Sequence, residues 1–178
     1  MDNENNRVKR SRSEVSVRAA TRLDAEAITR LVVALAEFEK LPPPDEEAQA
    51  RLIEDAFGPK KRVEIVLAEV QGAVVGYAFF FETYSTFLAR PTLYLEDLFV
   101  LPDYRARGVG YVLFKQCAGE AVRRGCGRME WAVLDWNTHA LRFYERLGAH
   151  HLHDWQLHRL DGDELAAFGD VPASSTES

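Results

Sequence analysis

Residues 92 to 115 read TLYLEDLFVLPDYRARGVGYVLFK. The first ten are leucine, aromatic or β-branched apart from two adjacent acids, Glu96 and Asp97, and they predict a strand. Further on, Val109, Val112, Leu113, Cys117 and Ala121 recur on one stripe of a helix. Between strand and helix lies Arg105-Ala106-Arg107-Gly108-Val109-Gly110. The first turn of a helix carries unpaired N–H groups and a partial positive charge, and both favour phosphate. Gly108 and Gly110 lack a Cβ, so a pyrophosphate can approach the backbone, and Arg105 and Arg107 can add charge-assisted hydrogen bonds. The spacing is neither the G-x-G-x-x-G of a dinucleotide fold nor a G-K-[ST] loop. Taken alone, the stretch reads equally as a phosphate-holding loop or as a glycine turn capping a helix.

The pattern around this segment alternates between strand and helix. Val15 and Val17 suggest a short first strand, and Ile28, Leu31, Val32, Leu35 and Phe38 fall at helical spacing, with Asp24 as the N-cap. LPPPDEE ends that helix, because proline removes a donor and fixes φ. EAQARLIEDAFG predicts a second helix closing near Gly58. VEIVLAEV, QG and AVVGYAFFFETYS predict a hairpin with a tight turn. After the long helix, RMEWAVL predicts a strand, NTHALRFYERLG a short helix capped by Asn137 and closed by Gly148, and WQLHRL a last strand. The order β, two helices, three strands, helix, strand, helix, strand is that of an α/β domain around a mixed sheet.

With 178 residues and 47% hydrophobic content, the chain can fold around a single core. The domain is expected over 15–168, between a charged, disordered tail at 1–14 and a flexible tail at 169–178. Cys117 and Cys126 form no C-x-x-C pair and no signal peptide opens the chain, so a reduced, cytoplasmic setting is expected. No apolar run reaches the ~18 residues of a membrane span. The net charge of −6 argues against a nucleic-acid partner and suits a cationic small molecule. His150, His151 and His153 have no nearby cysteine or carboxylate pattern to complete a metal site.

The segments LYLEDLFVLPDYR, RARGVG and AVLDWNTHALRFYERLGA, in this order and spacing, resemble the GNAT superfamily of N-acetyltransferases, within it the diamine (spermidine/spermine) branch, with AVLDWN nearest in wording to thialysine N-acetyltransferases. The resemblance runs from Val15 to about Phe168. It implies the GNAT fold, a mixed, mostly antiparallel central sheet flanked by helices. It also implies acetyl-CoA as cosubstrate, a small cationic amine as acceptor, and a homodimer.

It further implies roles for particular residues. A primary amine with a pKa near ~10.4 arrives protonated and must lose a proton before it can attack. Glu96 matches the family's base, and Asp97 is the adjacent candidate. On a regular strand these two point to opposite faces, so only one reaches the acceptor unless a bulge re-aims the other. The backbone of Leu98, Phe99 and Val100 matches a splayed strand whose N–H groups bond the thioester oxygen and the pantetheine arm. Main-chain amides from Ala106 through Gly108, Val109 and Gly110 to Tyr111, with Arg105 and Arg107, match the pyrophosphate loop. Tyr144 matches the general acid that protonates the leaving thiolate. Asn137, Thr138, Ala140 and Arg146 match the coenzyme end of the same helix. On the acceptor side the matching residues are Phe38 and Glu39, Glu130 and Trp131. Phe38 stands where the family has a tyrosine, and Ser85 where it has an acid, which disfavours long polycations.

Overall fold

The computed structural model describes residues 15–169. The expected tails, 1–14 and 169–178, lie outside the described residues apart from Gly169. These separate into two compact units, one up to Ala132 and one from Val133 onward.

In the first unit the elements are β1 (Val15–Ala19), α1 (Ala25–Glu39), α2 (Glu46–Phe57), β2 (Glu64–Val70), β3 (Ala73–Ser85), β4 (Arg90–Val100), α3 (Val109–Arg123) and β5 (Arg128–Glu130). The strands form one sheet in the order β1-β2-β3-β4-β5. Every neighbouring pair is antiparallel except β4 and β5, which are parallel. This is the α/β, mostly antiparallel mixed sheet the sequence predicts. The β2–β3 turn is Gln71-Gly72, at φ +53° and +78°, the pair of left-handed residues a two-residue hairpin demands.

Alternate strand residues feed two cores. On one face Val66, Ala68, Ala78, Phe80, Leu93 and Leu95 pack with Val109, Leu113, Cys117 and Ala121 of α3. On the other, Ile65, Leu67, Tyr77, Phe79 and Phe99 pack with Ile28 and Leu31 of α1 and Ala56 of α2. Burial pushes the Cys117 thiol up to about 12, so it is a core residue with little thiolate. Arg124, just past α3, pairs with Glu64 of β2, Glu82 of β3 and Glu120, tying the end of the helix to the sheet.

Two local expectations change. Asp24 occupies the N-cap position of α1 but makes no cap bond. Its carboxylate is held by Arg18 at 2.7 Å and by the Thr21 N–H at 2.8 Å, which close the preceding 3₁₀ turn Arg22–Asp24. RMEWAVL is a strand only to Glu130, because β5 pairs with β4 over three residues and strand-forming side chains need a neighbouring ladder to bond.

The second unit holds α4 (Thr138–Arg146) and α5 (Gly162–Phe168). The Asn137 side chain accepts the Ala140 N–H at 3.1 Å as N-cap, and Gly148 follows the helix at φ +87°. WQLHRL, expected as a strand, has no sheet partner among the described residues and is irregular. Helix α5, unanticipated, starts in the acidic DGDELAAF, where Asp163 and Glu164 suit a helix N-terminus.

Candidate active site

The acids of LYLEDLFV owe their placement to a bulge. Phe79 pairs with Asp97 but Phe80 pairs with Leu95, so Glu96 is the extra residue of β4. The insertion reverses the alternation. Leu95 and Leu98, three apart, both pack on the α3 face, whereas Asp97 neighbours Tyr77 on the α1 face. Glu96 and Asp97 therefore do not take opposite faces, and the two charges are close enough that Glu96 raises the pKa of Asp97.

Phe38 and Glu39, the last residues of α1, come to the same face. The Phe38 ring lies 6.4 Å from that of Phe99, which is 6.1 Å from that of Tyr77. The Tyr77 hydroxyl donates to Asp97 Oδ2 at 3.5 Å. Burial first, then the charges of Glu96 and Glu39, lift the Asp97 carboxyl from 3.8 to about 6, against the opposing pull of the Tyr77 hydrogen bond. Burial also raises Glu39 above the usual carboxylate range. A partly desolvated acid that titrates near neutrality, flanked by two more carboxylates and an aromatic wall, is an environment for a cation that can give up a proton.

The remaining acceptor-side expectations divide. Glu130 ends β5 opposite Tyr94 and is bonded to Arg128 at 3.0 Å. With Glu96 it raises the Tyr94 phenol, after burial. Trp131 instead packs edge-on to Phe114 of α3 at 5.3 Å, on the opposite face from Asp97. Its indole joins Met129, two residues earlier, in the α3 core, as the alternation of β5 places both on that face. Ser85 sits at the far end of β3, six residues from the Asp97 partner Phe79, or about 20 Å along the strand. It is buried, and its Oγ accepts the Leu88 N–H at 3.3 Å, closing the turn between β3 and β4.

A second edge is open alongside. β5 leaves β4 at Tyr94, so Leu95 to Val100 have β3 on one side and no strand on the other among the described residues. The Leu101 N–H bonds Val75 O at 2.9 Å, which sets the phase. By antiparallel alternation the Phe99 N–H turns towards β3, while Leu98 and Val100 present both backbone groups to the open edge. Arg105 Nε donates to Val100 O at 2.8 Å, as that phase requires. Of the three residues expected to bind through their backbone, Leu98 and Val100 have the free amides. Phe99 buries its ring and spends its amide on the sheet.

The loop beyond has the shape of an anion cradle. Its last turn bond is Arg105 N–H to Pro102 O, and the first bond of the helix is Val112 N–H to Gly108 O. The first-turn amides of Val109, Gly110 and Tyr111 have no intrahelical acceptor. Ala106 and Gly108 adopt φ +58° and +87°, and a Cβ on Gly108 would meet nothing within 4 Å, so the space above it is open. These groups fit a pyrophosphate. The two arginines differ. The Arg105 guanidinium is turned back over Phe38, 4.4 Å from its centroid, and Phe99 at 5.4 Å. Arg107 is exposed, beside Tyr104.

In the second unit Asn137 is committed to capping, Thr138 and Arg146 are exposed and Ala140 is half-buried on α4. Tyr144 is half-buried with its ring edge-on to Phe143 at 5.1 Å. His151 and His153 lie ring to ring at 4.3 Å, and no three metal-ligating side chains converge among the described residues.

Tyr77 is the residue that reading the sequence missed. A lone phenol inside a buried apolar strand needs a hydrogen-bond partner, but the partner follows from register, which the sequence does not display.

Asp97 carries a cost in stability. Its carboxyl keeps a proton in the folded chain that the unfolded chain releases, so its contribution falls as pH rises from about 4 to about 6. The loss is on the order of 3 kcal/mol. Asp97→Asn should unfold at a higher temperature than the parent chain at pH 7.5, with the gap narrowing towards pH 4. Thermal unfolding of both chains across that range checks this, and a gap independent of pH contradicts it.

The acetyltransferase (GNAT) family profile matches residues 28–149. A thialysine N-epsilon-acetyltransferase of Bos taurus is 36% identical over 162 residues, 85% of this chain and 95% of that protein. An L-ornithine N5-acetyltransferase of Arabidopsis thaliana is 42% identical over 114 residues, 64% of this chain but only 47% of that protein. An integron cassette protein of V. cholerae shares the fold, with a TM-score of 0.77 over 87% of this chain and 97% of that one, at 22% identity. The chain belongs to the GNAT family of N-acetyltransferases, enzymes that draw their acetyl group from acetyl-CoA.

Proposed function

We propose that the protein transfers acetyl from acetyl-CoA to a primary amine of a small diamine or polyamine by direct attack. The observation that carries this reading is the gathering of Glu39, Glu96 and Asp97 beside the open edge of β4. Acetyl-CoA supplies the acetyl group as a thioester. Amides of the loop from Ala106 to Tyr111 hold its pyrophosphate, and Leu98 and Val100 offer N–H groups to the thioester oxygen and the pantetheine arm. Glu96, exposed on its bulge, takes the proton from the arriving ammonium, and Asp97 anchors the charge. The amine nitrogen bonds the carbonyl carbon, the C–S bond breaks, the Tyr144 phenol gives its proton to the departing sulfur, and the second proton shed by the acylated nitrogen passes through solvent to restore the phenol. The enzyme acts as a homodimer in the cytoplasm and takes no metal.

A second reading, acetylation of the side-chain amine of an amino acid, is favoured by the relatives that act on thialysine and ornithine. Phe38 in place of a phenol agrees with a short acceptor. Thiol release from acetyl-CoA, measured with putrescine, spermidine, spermine, ornithine and thialysine, separates the two. Higher kcat/KM for the diamines supports the first reading and for the amino acids the second. Coenzyme binding without turnover on any amine would refute both.

A further inference from the structure

We propose that Tyr77 is a positioning residue for Asp97, its buried hydroxyl orienting the carboxylate to receive the acceptor ammonium. The kinetic part of this proposal rests on the amine N-acetyltransferase reading above. Tyr77 has no exposed surface. Its ring is fixed on two sides, edge-on to Phe79 at 4.9 Å and tilted against Phe99 at 6.1 Å. Tyr77 pairs with Phe99 and Phe79 with Asp97, so the phenol reaches Asp97 along the cross-strand diagonal. The bulge at Glu96 creates this meeting, because without it Asp97 would face α3.

The groups facing Asp97 are Glu39 from the end of α1, Glu96 from its own strand and Tyr77 from β3. Arg105, from the loop after β4, covers Phe38 and Phe99 on the same face. Two neighbours are acids and oppose ionisation, and the Tyr77 hydroxyl is the neighbour that favours it. A phenol cannot ionise here, since burial and Asp97 hold its pKa well above 10.0. It therefore serves as a fixed donor, and a donor to a carboxylate stabilises the charged form. At 3.5 Å the bond is long for O–H···O, so the expected effect is moderate.

The test is the titration of the Asp97 carboxyl carbon by ¹³C NMR, in the full chain and in Tyr77→Phe, without substrate. The midpoint should rise by about half a pH unit in the variant, because the donor to the charged form is gone. An unmoved or lowered midpoint overturns the proposal. With an amine that the parent chain acetylates, the acid limb of kcat/KM should rise by the same amount, with the plateau above it within about two-fold. An equal loss at every pH marks a merely structural role and also overturns it. If the parent chain acetylates no amine, the functional reading fails, while the carboxyl titration still decides the contact. Should Tyr77→Phe not fold, the Tyr77 Cζ signal of the parent chain should shift with the same midpoint as Asp97, and a flat signal rejects the contact.

Discussion

Tyr144→Phe is expected to lower turnover by about 10²-fold or more, the range for a lost general acid, while acetyl-CoA affinity stays within two-fold or so. The leaving group is a thiolate, and a phenol with a pKa near ~10 can hand it a proton at neutral pH. The substitution removes one oxygen and keeps the ring, so the edge-on contact with Phe143 remains. The cap of α4, from Asn137 to the Ala140 N–H, is untouched. A fall in kcat can therefore be assigned to the hydroxyl rather than to the helix. Stopped-flow thiol release gives kcat, and calorimetry with coenzyme A gives the affinity. An unchanged kcat removes Tyr144 as the acid.

Gly108→Val should weaken coenzyme A binding by at least about 10-fold while leaving the fold intact. Gly108 sits at φ +87°, a region that a β-branched residue enters only with strain. There is room for the side chain itself, since nothing lies within 4 Å of the position its Cβ would take. The strain is relieved by moving the backbone that aims the amides of Val109, Gly110 and Tyr111. Space over the loop is also lost to the isopropyl group. Core packing of α3 through Leu113 and Cys117 does not depend on this residue, so the unfolding transition should stay cooperative. Calorimetry with coenzyme A and thermal unfolding are the paired measurements. Normal affinity would remove the loop as the pyrophosphate site.

Legibility in the sequence followed the range of the interactions. The hairpin at Gln71-Gly72, the α3 stripe of Val109, Leu113, Cys117 and Ala121 and the cap at Asn137 are local: each is set by residues within a turn or two and stands in the structure as the pattern predicts, while Val112, expected on the same stripe, is only half-buried. Strand ends were less legible. RMEWAVL and WQLHRL have strand composition, but a ladder needs a partner, and partners come from elsewhere in the chain. The turn of Arg105 away from the loop was also hidden, because its acceptor is the Val100 carbonyl, exposed only by the way β4 pairs with β3.

The sequence by itself determined the order of elements as far as α4, the glycine loop between strand and helix, and the acidic pair in an apolar strand, since these depend on composition and spacing along the chain. Only the tertiary structure decided which face the acids take. One inserted residue, Glu96, reverses the side-chain alternation of β4. That reversal brings Asp97 to Tyr77 and Glu39, away from α3, and places it where burial and neighbouring charge raise its pKa. A strand's period of two is local, but the register that breaks it is a property of the pair of strands.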